Sequence, residues 1–272
     1  MSWRKYFNSS HTLKGIFGGD KNMTSGFANK HRLALGLTLI VSPPAISDDL
    51  ALGLMTGLAE SPYKETTPRV FPFPFVDYEG DFLFFHGVQG GIHLLKDRVN
   101  QFDVFAAYDP RQFRPQDSND SKIQRLDKRR STVTTGLEYS LRTYFGHFSA
   151  SVAHDALNNS DGVFANTSYM YPFALTDWEL TPEIGVRWDN KDQNNYYAGI
   201  SIDESRRSGL PSYTPDDSFT PYIVLSANYH MSNDWKAFFS ARYDITADEV
   251  KKSPMIDKNG VGIVSTGISY TF

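Results

Sequence analysis

After residue 48 the chain alternates apolar and polar positions with a period of two, many times over. In 235–245, Trp235, Ala237, Phe239, Ala241, Tyr243 and Ile245 share one face, opposed by Lys236, Phe238, Ser240, Arg242 and Asp244. In 178–188, Trp178, Leu180, Pro182, Ile184, Val186 and Trp188 oppose Glu179, Thr181, Glu183, Gly185 and Arg187; segment 219–230 repeats the scheme. A period of two is that of a β-strand, whose successive side chains point to opposite faces, and no stretch here sustains the 3.6-residue period of a helix. The apolar faces end repeatedly in Trp or Tyr. That is the pattern of a strand with one face in lipid tails and its ends at headgroup level.

Similar segments cover 49–59, 70–78, 81–94, 99–108, 131–142, 146–155, 163–174 and 260–272, with a weaker one at 195–201. Many are long enough for a tilted strand to cross a bilayer, and a closed barrel leaves no unpaired edge to meet lipid. The fold expected is therefore all-β: a transmembrane antiparallel β-barrel of 12 strands, or 10 if two weak segments drop out. A soluble sandwich also alternates, but its strands are usually shorter, near five or six residues. The count carries a conflict. With both chain ends periplasmic, odd-numbered connections are external and long, yet 109–130 is the fourth connection and 143–145, which falls on the external side, is a tight turn.

The N-terminal part reads differently. Lys30-His31-Arg32 precede the apolar run Leu33–Val41, followed by Ser42-Pro43-Pro44-Ala45-Ile46-Ser47. A basic start, a short apolar run and small residues at Ala45 and Ser47 make an export signal, spanning 23–47 and cut between Ser47 and Asp48. The run is too short to span a membrane as a helix, which takes about 20 residues. Residues 1–22 then read as an over-called extension, with translation starting at Met23, and 48–272 as the barrel. Composition agrees. The mean hydropathy of -0.41 excludes a polytopic helical membrane protein, and the absence of cysteine suits passage through an oxidising periplasm. Six of the 27 Lys/Arg but one of the 31 acids lie in residues 1–47, leaving 21 bases and 30 acids in the rest. So acidic a body, without a basic stripe, is unsuited to nucleic acid.

Candidate chemistry is sparse. Asp103, Glu138, Arg142, Glu183, Arg187, Lys236, Arg242 and Asp244 fall on inward faces, which predicts a polar lumen. Buried charges persist when paired, so salt-bridged layers plugging a narrow barrel are expected; an open pore is the alternative. Asn158-Asn159-Ser160-Asp161-Gly162, Asp216-Asp217-Ser218 and Glu79-Gly80-Asp81 are turn-forming clusters. Lys128-Arg129-Arg130 offers charge-assisted hydrogen bonds to lipopolysaccharide phosphates if it faces outward, or to an acidic partner if it faces the periplasm; a plain solvated loop fits equally. The local cluster His154, Asp155 and Ser160 lacks catalytic convergence, since adjacent strand residues point to opposite faces. The histidines show no metal-ligand spacing and no glycine-rich phosphate loop is present. The sequence thus predicts no catalytic residues, no cofactor and no metal.

The last segment, GVGIVSTGISYTF, puts Gly262, Val264, Thr266, Ile268, Tyr270 and Phe272 on one face. A terminal Phe272 with Tyr270 two residues before it resembles the assembly signal read by the outer-membrane barrel insertase, and predicts location in the outer membrane of a Gram-negative bacterium. Further strings carry a family likeness. They are ESPYK at Glu60–Lys64, FPFPFVDYEGD at Phe71–Asp81, LDKRRST at Leu126–Thr132, and DALNNSDG at Asp155–Gly162. TPEIGVRWDNKDQNNYYAGIS at Thr181–Ser201, ESRRSGLPSYTPDDS at Glu204–Ser218 and SPMIDKN at Ser253–Asn259 complete them. In this order they resemble the MltA-interacting protein (MipA/OmpV) family over roughly 50–272. Asn158 stands where an acid is expected, and residues 1–22 have no counterpart. The resemblance implies a non-enzymatic outer-membrane scaffold whose periplasmic side bridges a murein lytic transglycosylase and a bifunctional penicillin-binding protein. It equally leaves open a surface adhesin or receptor acting through loops such as 202–217 and 246–259, with a small-solute channel as a third reading.

Overall fold

Alternation with an oily outer face leads to a closed antiparallel sheet. The computed structural model describes residues 49–272; the expected signal segment and its cleavage position at Ser47 and Asp48 lie outside the described residues. The strands are β1 (Asp49–Ala59), β2 (Arg69–Glu79), β3 (Leu83–His86), β4 (Gln89–Lys96), β5 (Asn100–Asp109), β6 (Thr132–Thr143) and β7 (Gly146–Asp155). They continue with β8 (Val163–Met170), β9 (Phe173–Ala174), β10 (Trp178–Asp189), β11 (Ser218–His230), β12 (Trp235–Ile245) and β13 (Gly260–Thr271). Each pairs antiparallel with its neighbour, and β1 closes on β13, as in Leu54 opposite Ile268. The two-residue β9 continues β8 along β10 after the interruption at Tyr171-Pro172. The wall is thus twelve strands with one extra fragment.

The strand number matches the sequence expectation, but two elements differ in compensating ways. Segment 81–94 is a hairpin rather than one strand, because Gly87 takes φ +61° and turns the chain after His86. Segment 195–201 is no strand: it falls on helix α1 (Lys191–Ala198) and the residues after it, started by Asn190, whose side chain accepts from the Gln193 N–H at 3.0 Å. The parity conflict then disappears. Connection 110–131 becomes the fifth, and joins 60–68, 87–88, 156–162, 190–217 and 246–259 at one end. The other end has only the short turns 80–82, 97–99, 144–145, 175–177 and 231–234, together with Asp49 and Phe272. By the usual rule for bacterial barrels, the short-turn end is periplasmic.

The cross-strand register fixes the faces. Outward positions are apolar and exposed, such as Leu54, Val70, Ile184 and Ile223. At the short-turn end the outer face carries aromatic pairs, Trp178–Tyr229 at 4.8 Å, Trp235–Tyr270 at 5.2 Å and Phe148–Tyr169 at 4.8 Å between ring centroids. Amphipathic rings belong at the headgroup level, where one edge is wet. The hairpin β3–β4 is the shortest part of the wall. Its tip lies level with Val76 and Tyr108, where the Gly87 N–H donates to the Val76 carbonyl at 2.8 Å and the Tyr108 N–H to the Val88 carbonyl at 3.0 Å.

Candidate functional site: the loop cap and the lumen

The long connections fold on one another. Tyr63, Phe113, Ile123, Leu126, Ala198, Ile200, Leu210, Met255 and Ile256 form one buried apolar cluster drawn from four loops. Short bridges tie the loops: Tyr63 to Ile256, Thr66 to Ser118, Phe113 to Arg129 and Ile200 to Tyr213. Burying backbone this way requires partners for its polar groups, and the helix ends supply several. In α2 (Ile202–Ser208), Ser201 accepts from the Glu204 N–H while the Glu204 carboxylate accepts from the Ser201 N–H, a reciprocal capping box. A third short helix, α3 (Asp248–Lys251), lies in the last long loop.

Glu204 is the electrostatic centre of this cap. It is 3% exposed and accepts hydrogen bonds from the buried Arg129 guanidinium at 2.8 Å and the Asp127 N–H at 2.8 Å. Burial pushes its carboxyl up, but the Ser201 and Asp127 N–H donors and Arg129 outweigh that and hold it below the ordinary carboxylate value. The tribasic string Lys128-Arg129-Arg130 is therefore not one cationic patch: Lys128 and Arg130 are exposed and Arg129 points into the cap. Above the ion pair lies a cavity of about 650 Å³ lined by Asp127, Asn195, Tyr196, Ser201, Ser212 and Thr214 among others.

Beneath the cap a second cluster fills the top of the lumen. Arg111 donates to Asp109 through Nε and Nη2, at 2.9 and 2.7 Å, and to Asp189 at 3.2 Å, with its guanidinium 4.9 Å from the Tyr197 ring. Arg187 also donates to Asp189, at 3.0 Å, and lies 3.6 Å from the centre of the Phe164 ring.

All eight residues expected in a lumen network sit on the inward face by register, though few pair with one another. Arg242 donates to Asp244 at 2.9 Å and stacks on Tyr222. Asp103 pairs with His93 at 2.7 Å, Glu183 accepts from the Tyr222 hydroxyl at 3.1 Å, and Arg142 donates to Gln101 at 2.9 Å. Glu138 faces Asp103 across the β5–β6 pair and accepts from Ser140 at 3.5 Å. Among the described residues, no carboxylate lies within ion-pair distance of Lys236. The sequence reading missed His86, Asp77, Glu79 and Lys96, where Lys96 meets Glu79 at 2.5 Å and His86 meets Asp77 at 2.6 Å. It also missed Asp109, Arg111 and Asp189. Part of the signal was present: Arg187/Asp189 and Arg242/Asp244 are opposite charges two apart within one strand, a spacing that keeps both on one face, whereas Arg111 lies beyond the end of β5 and reaches back to Asp109.

The remaining candidates separate. Asp155 accepts from Thr132 and from the Ser160 N–H at 2.6 Å, bracing a turn in which Asn158 and Asp161 hold φ of 53° and 51°. His154 turns to the other face and meets Thr135 at 3.0 Å. Tyr270 packs between Trp235 and Phe272, and the Phe272 N–H donates to the Leu50 carbonyl at 3.0 Å, which ties the chain's last residue to β1.

Comparison with known proteins places these features among outer-membrane proteins. A family model described as MltA-interacting protein MipA matches residues 52–272. The MltA-interacting protein of Escherichia coli (strain K12) is 40% identical over 242 residues, covering 88% of this chain and 98% of that protein. The putative outer membrane protein YiaT of the same strain is 34% identical, covering 84% and 93%. Among solved structures, an outer membrane channel from Pseudomonas putida F1 matches with 10% identity and a TM-score of 0.39, covering 85% of this chain and 97% of that one.

Proposed function

The chain belongs to the MltA-interacting protein MipA family and resides in the outer membrane, and from that premise we propose that it is a non-catalytic adaptor for peptidoglycan-remodelling enzymes. In this reading it binds a murein lytic transglycosylase and, through it or beside it, a bifunctional penicillin-binding protein. The observation that carries the reading is the 40% identity, over nearly the whole of its length, to a protein named for that interaction. The short-turn end is the face available to periplasmic enzymes. It offers little chain, but its tips are apolar: Tyr144 is 93% exposed, with Phe82, Leu175 and Met231 exposed on neighbouring turns. Exposed aromatics are the side chains that most often dominate binding energy. Immobilised protein is expected to retain purified lytic transglycosylase above the level of an unrelated barrel. Tyr144→Ala is expected to weaken that retention roughly tenfold, equivalent to about 1.4 kcal/mol. Retention no better than the control would refute the adaptor reading.

Membrane partners follow from the same fold. The outward apolar face meets lipid, the Tyr270–Phe272 end is the part offered to the barrel insertase, and exposed Lys128 and Arg130 suit lipopolysaccharide phosphates at the capped end. The cap cavity supports a second reading, a surface receptor, because Tyr196, Asn195, Ser212 and Thr214 present a mixed ring-and-hydroxyl lining to solvent. For the lumen we favour a plugged state over a small-solute channel, since the inward charges are largely satisfied and four long loops pack into one core at the same end of the barrel. Reconstituted in planar bilayers, the protein is expected to give no stable conductance steps; regular steps would establish the channel.

A further inference from the structure

The barrel wall is incomplete on one side. Above the tip of the β3–β4 hairpin, β2 continues through Arg69–Phe75, an edge of about 20 Å at roughly 3.3 Å per residue. Among the described residues no strand pairs with β2 there on the side away from β1, because the β2–β3 pairing stops at Asp77–Glu79. The gap is two strands wide at its base, about 10 Å at roughly 4.8 Å per strand; β5 ends at Asp109, one residue beyond Tyr108 at the level of the tip, so its far margin is the start of loop 110–131. Its upper margin is built by the cap. The Asn119 N–H donates to the Glu65 carbonyl, the Ser118 hydroxyl to the Lys64 carbonyl, and Arg69 pairs with Asp117.

The sequence of this edge is adapted to having no partner. The Val76 carbonyl faces the hairpin, so by the two-residue period Val70, Pro72 and Pro74 aim their backbone groups at the gap. Proline has no N–H. Two of these three positions therefore present no donor, where each unsatisfied backbone group in hydrocarbon costs several kcal/mol. The same prolines block a partner strand from adding to the edge, which needs those donors. The outer margins are apolar, with Leu54 70% and Val70 71% exposed. Behind the gap, Phe71, Phe73 and Phe75 point into the lumen opposite Gly57, Met55 and Gly53. Phe75 packs on Phe238 at 4.6 Å, and Phe71 lies so close over Gly57 that a Cβ there would sit 2.4 Å from its ring. Phe73 itself is exposed.

We propose that this gap is a lateral port through which acyl chains from the surrounding membrane reach a phenylalanine-lined seat inside the barrel. An apolar lumen wall beside an opening at hydrocarbon depth fits an acyl chain. Water or a polar solute gains nothing from phenylalanine, and a strand lacks its hydrogen-bond partners. The port is independent of the adaptor role, which uses the opposite end of the strands.

The chain contains no cysteine, so single cysteines can report position. Phe73→Cys, Val70→Cys and Ser151→Cys would each be labelled with bimane in the full-length protein, folded into phosphatidylcholine liposomes. Ser151 faces the lumen from β7, which is paired on both sides. A heat-dependent shift on gels confirms that each variant has folded. Chain-labelled doxyl-phosphatidylcholine and, separately, doxyl-stearate serve as quenchers. The label at 73 is expected to lose most of its emission, as at lipid-facing 70, while that at 151 keeps it. Quenching at 73 by both probes means that bilayer lipid chains enter; quenching by stearate alone restricts the port to single-chain amphiphiles, and either result supports an acyl seat. Protection at 73 equal to that at 151 overturns the proposal. So does disulfide-linked dimer formation through unlabelled Val70→Cys, which keeps both prolines, together with protection at 73, since that would identify the edge as a strand-pairing site.

Discussion

Glu204→Ala is expected to open the loop cap while leaving the barrel closed. The carboxylate satisfies the Arg129 guanidinium, the Asp127 N–H and the Ser201 N–H at once. Removing it leaves a buried cation without its partner, a change that costs about 3–5 kcal/mol in comparable sites, and unmakes the capping box of α2. Loops 110–131 and 190–217 meet at this point, so both should become sensitive to limited proteolysis, with the heat-dependent gel shift of the barrel retained. Glu204→Gln keeps acceptors for the N–H groups and should give an intermediate rate. Cleavage of Glu204→Ala at the wild-type rate would show that the apolar cluster holds the cap unaided. A pH effect follows with a definite sign. A carboxyl held below its ordinary value stabilises the fold above the unfolded group's pKa, near 4.5, and that contribution is lost as pH falls through the lowered value. The cap is expected to become protease-sensitive in acid before the barrel unfolds.

Arg111→Met should be comparably damaging, at the barrel rather than the cap. Arg111 is the cation shared by Asp109 and Asp189, and its loss leaves Arg187 as the cation serving two carboxylates at the top of the lumen. An uncompensated buried charge again costs about 3–5 kcal/mol, to be read as a lower unfolding temperature in detergent. The double variant Arg111→Met/Asp109→Leu removes both members of the tightest pair. It should recover most of the loss, because replacing a buried ion pair by apolar side chains is often close to neutral. A double variant no better than the single would place the role of Arg111 in its stacking on Tyr197 and Phe164 instead.

The faces of the strands were legible from alternation alone, because a residue's side of a sheet depends only on its own parity. Partners were not, because they depend on register between strands. Arg242–Asp244, two apart on one strand, was within reach of sequence reasoning, whereas His93–Asp103 needs the β4–β5 alignment. The 81–94 segment misled because apolar residues recur on both sides of the turn, and which of its three glycines turns the chain, Gly87, is decided by backbone conformation. In 195–201 the aromatic residues imitate a strand, but the signal that decides the fold lies upstream at Asn190. The cap core was the least visible feature. Tyr63, Ile123 and Leu126 are single apolar residues in polar loops, and only their convergence in space with residues such as Met255 makes a core. The FPFPF string carries a family likeness in the sequence, while its physical content is an edge unpaired on one side, which no single-strand pattern discloses.

Closure of β1 onto β13 also dictates when the fold can exist at all. Leu54 finds Ile268 only after almost the entire described chain has been laid down between them. Contacts of such sequence separation are slow to form, because loop entropy is lost before pairing offsets it. Until then both terminal strands present bare, oily edges that invite pairing with other chains. The unfinished barrel therefore stays open to off-pathway strand pairing until its last strand is seated.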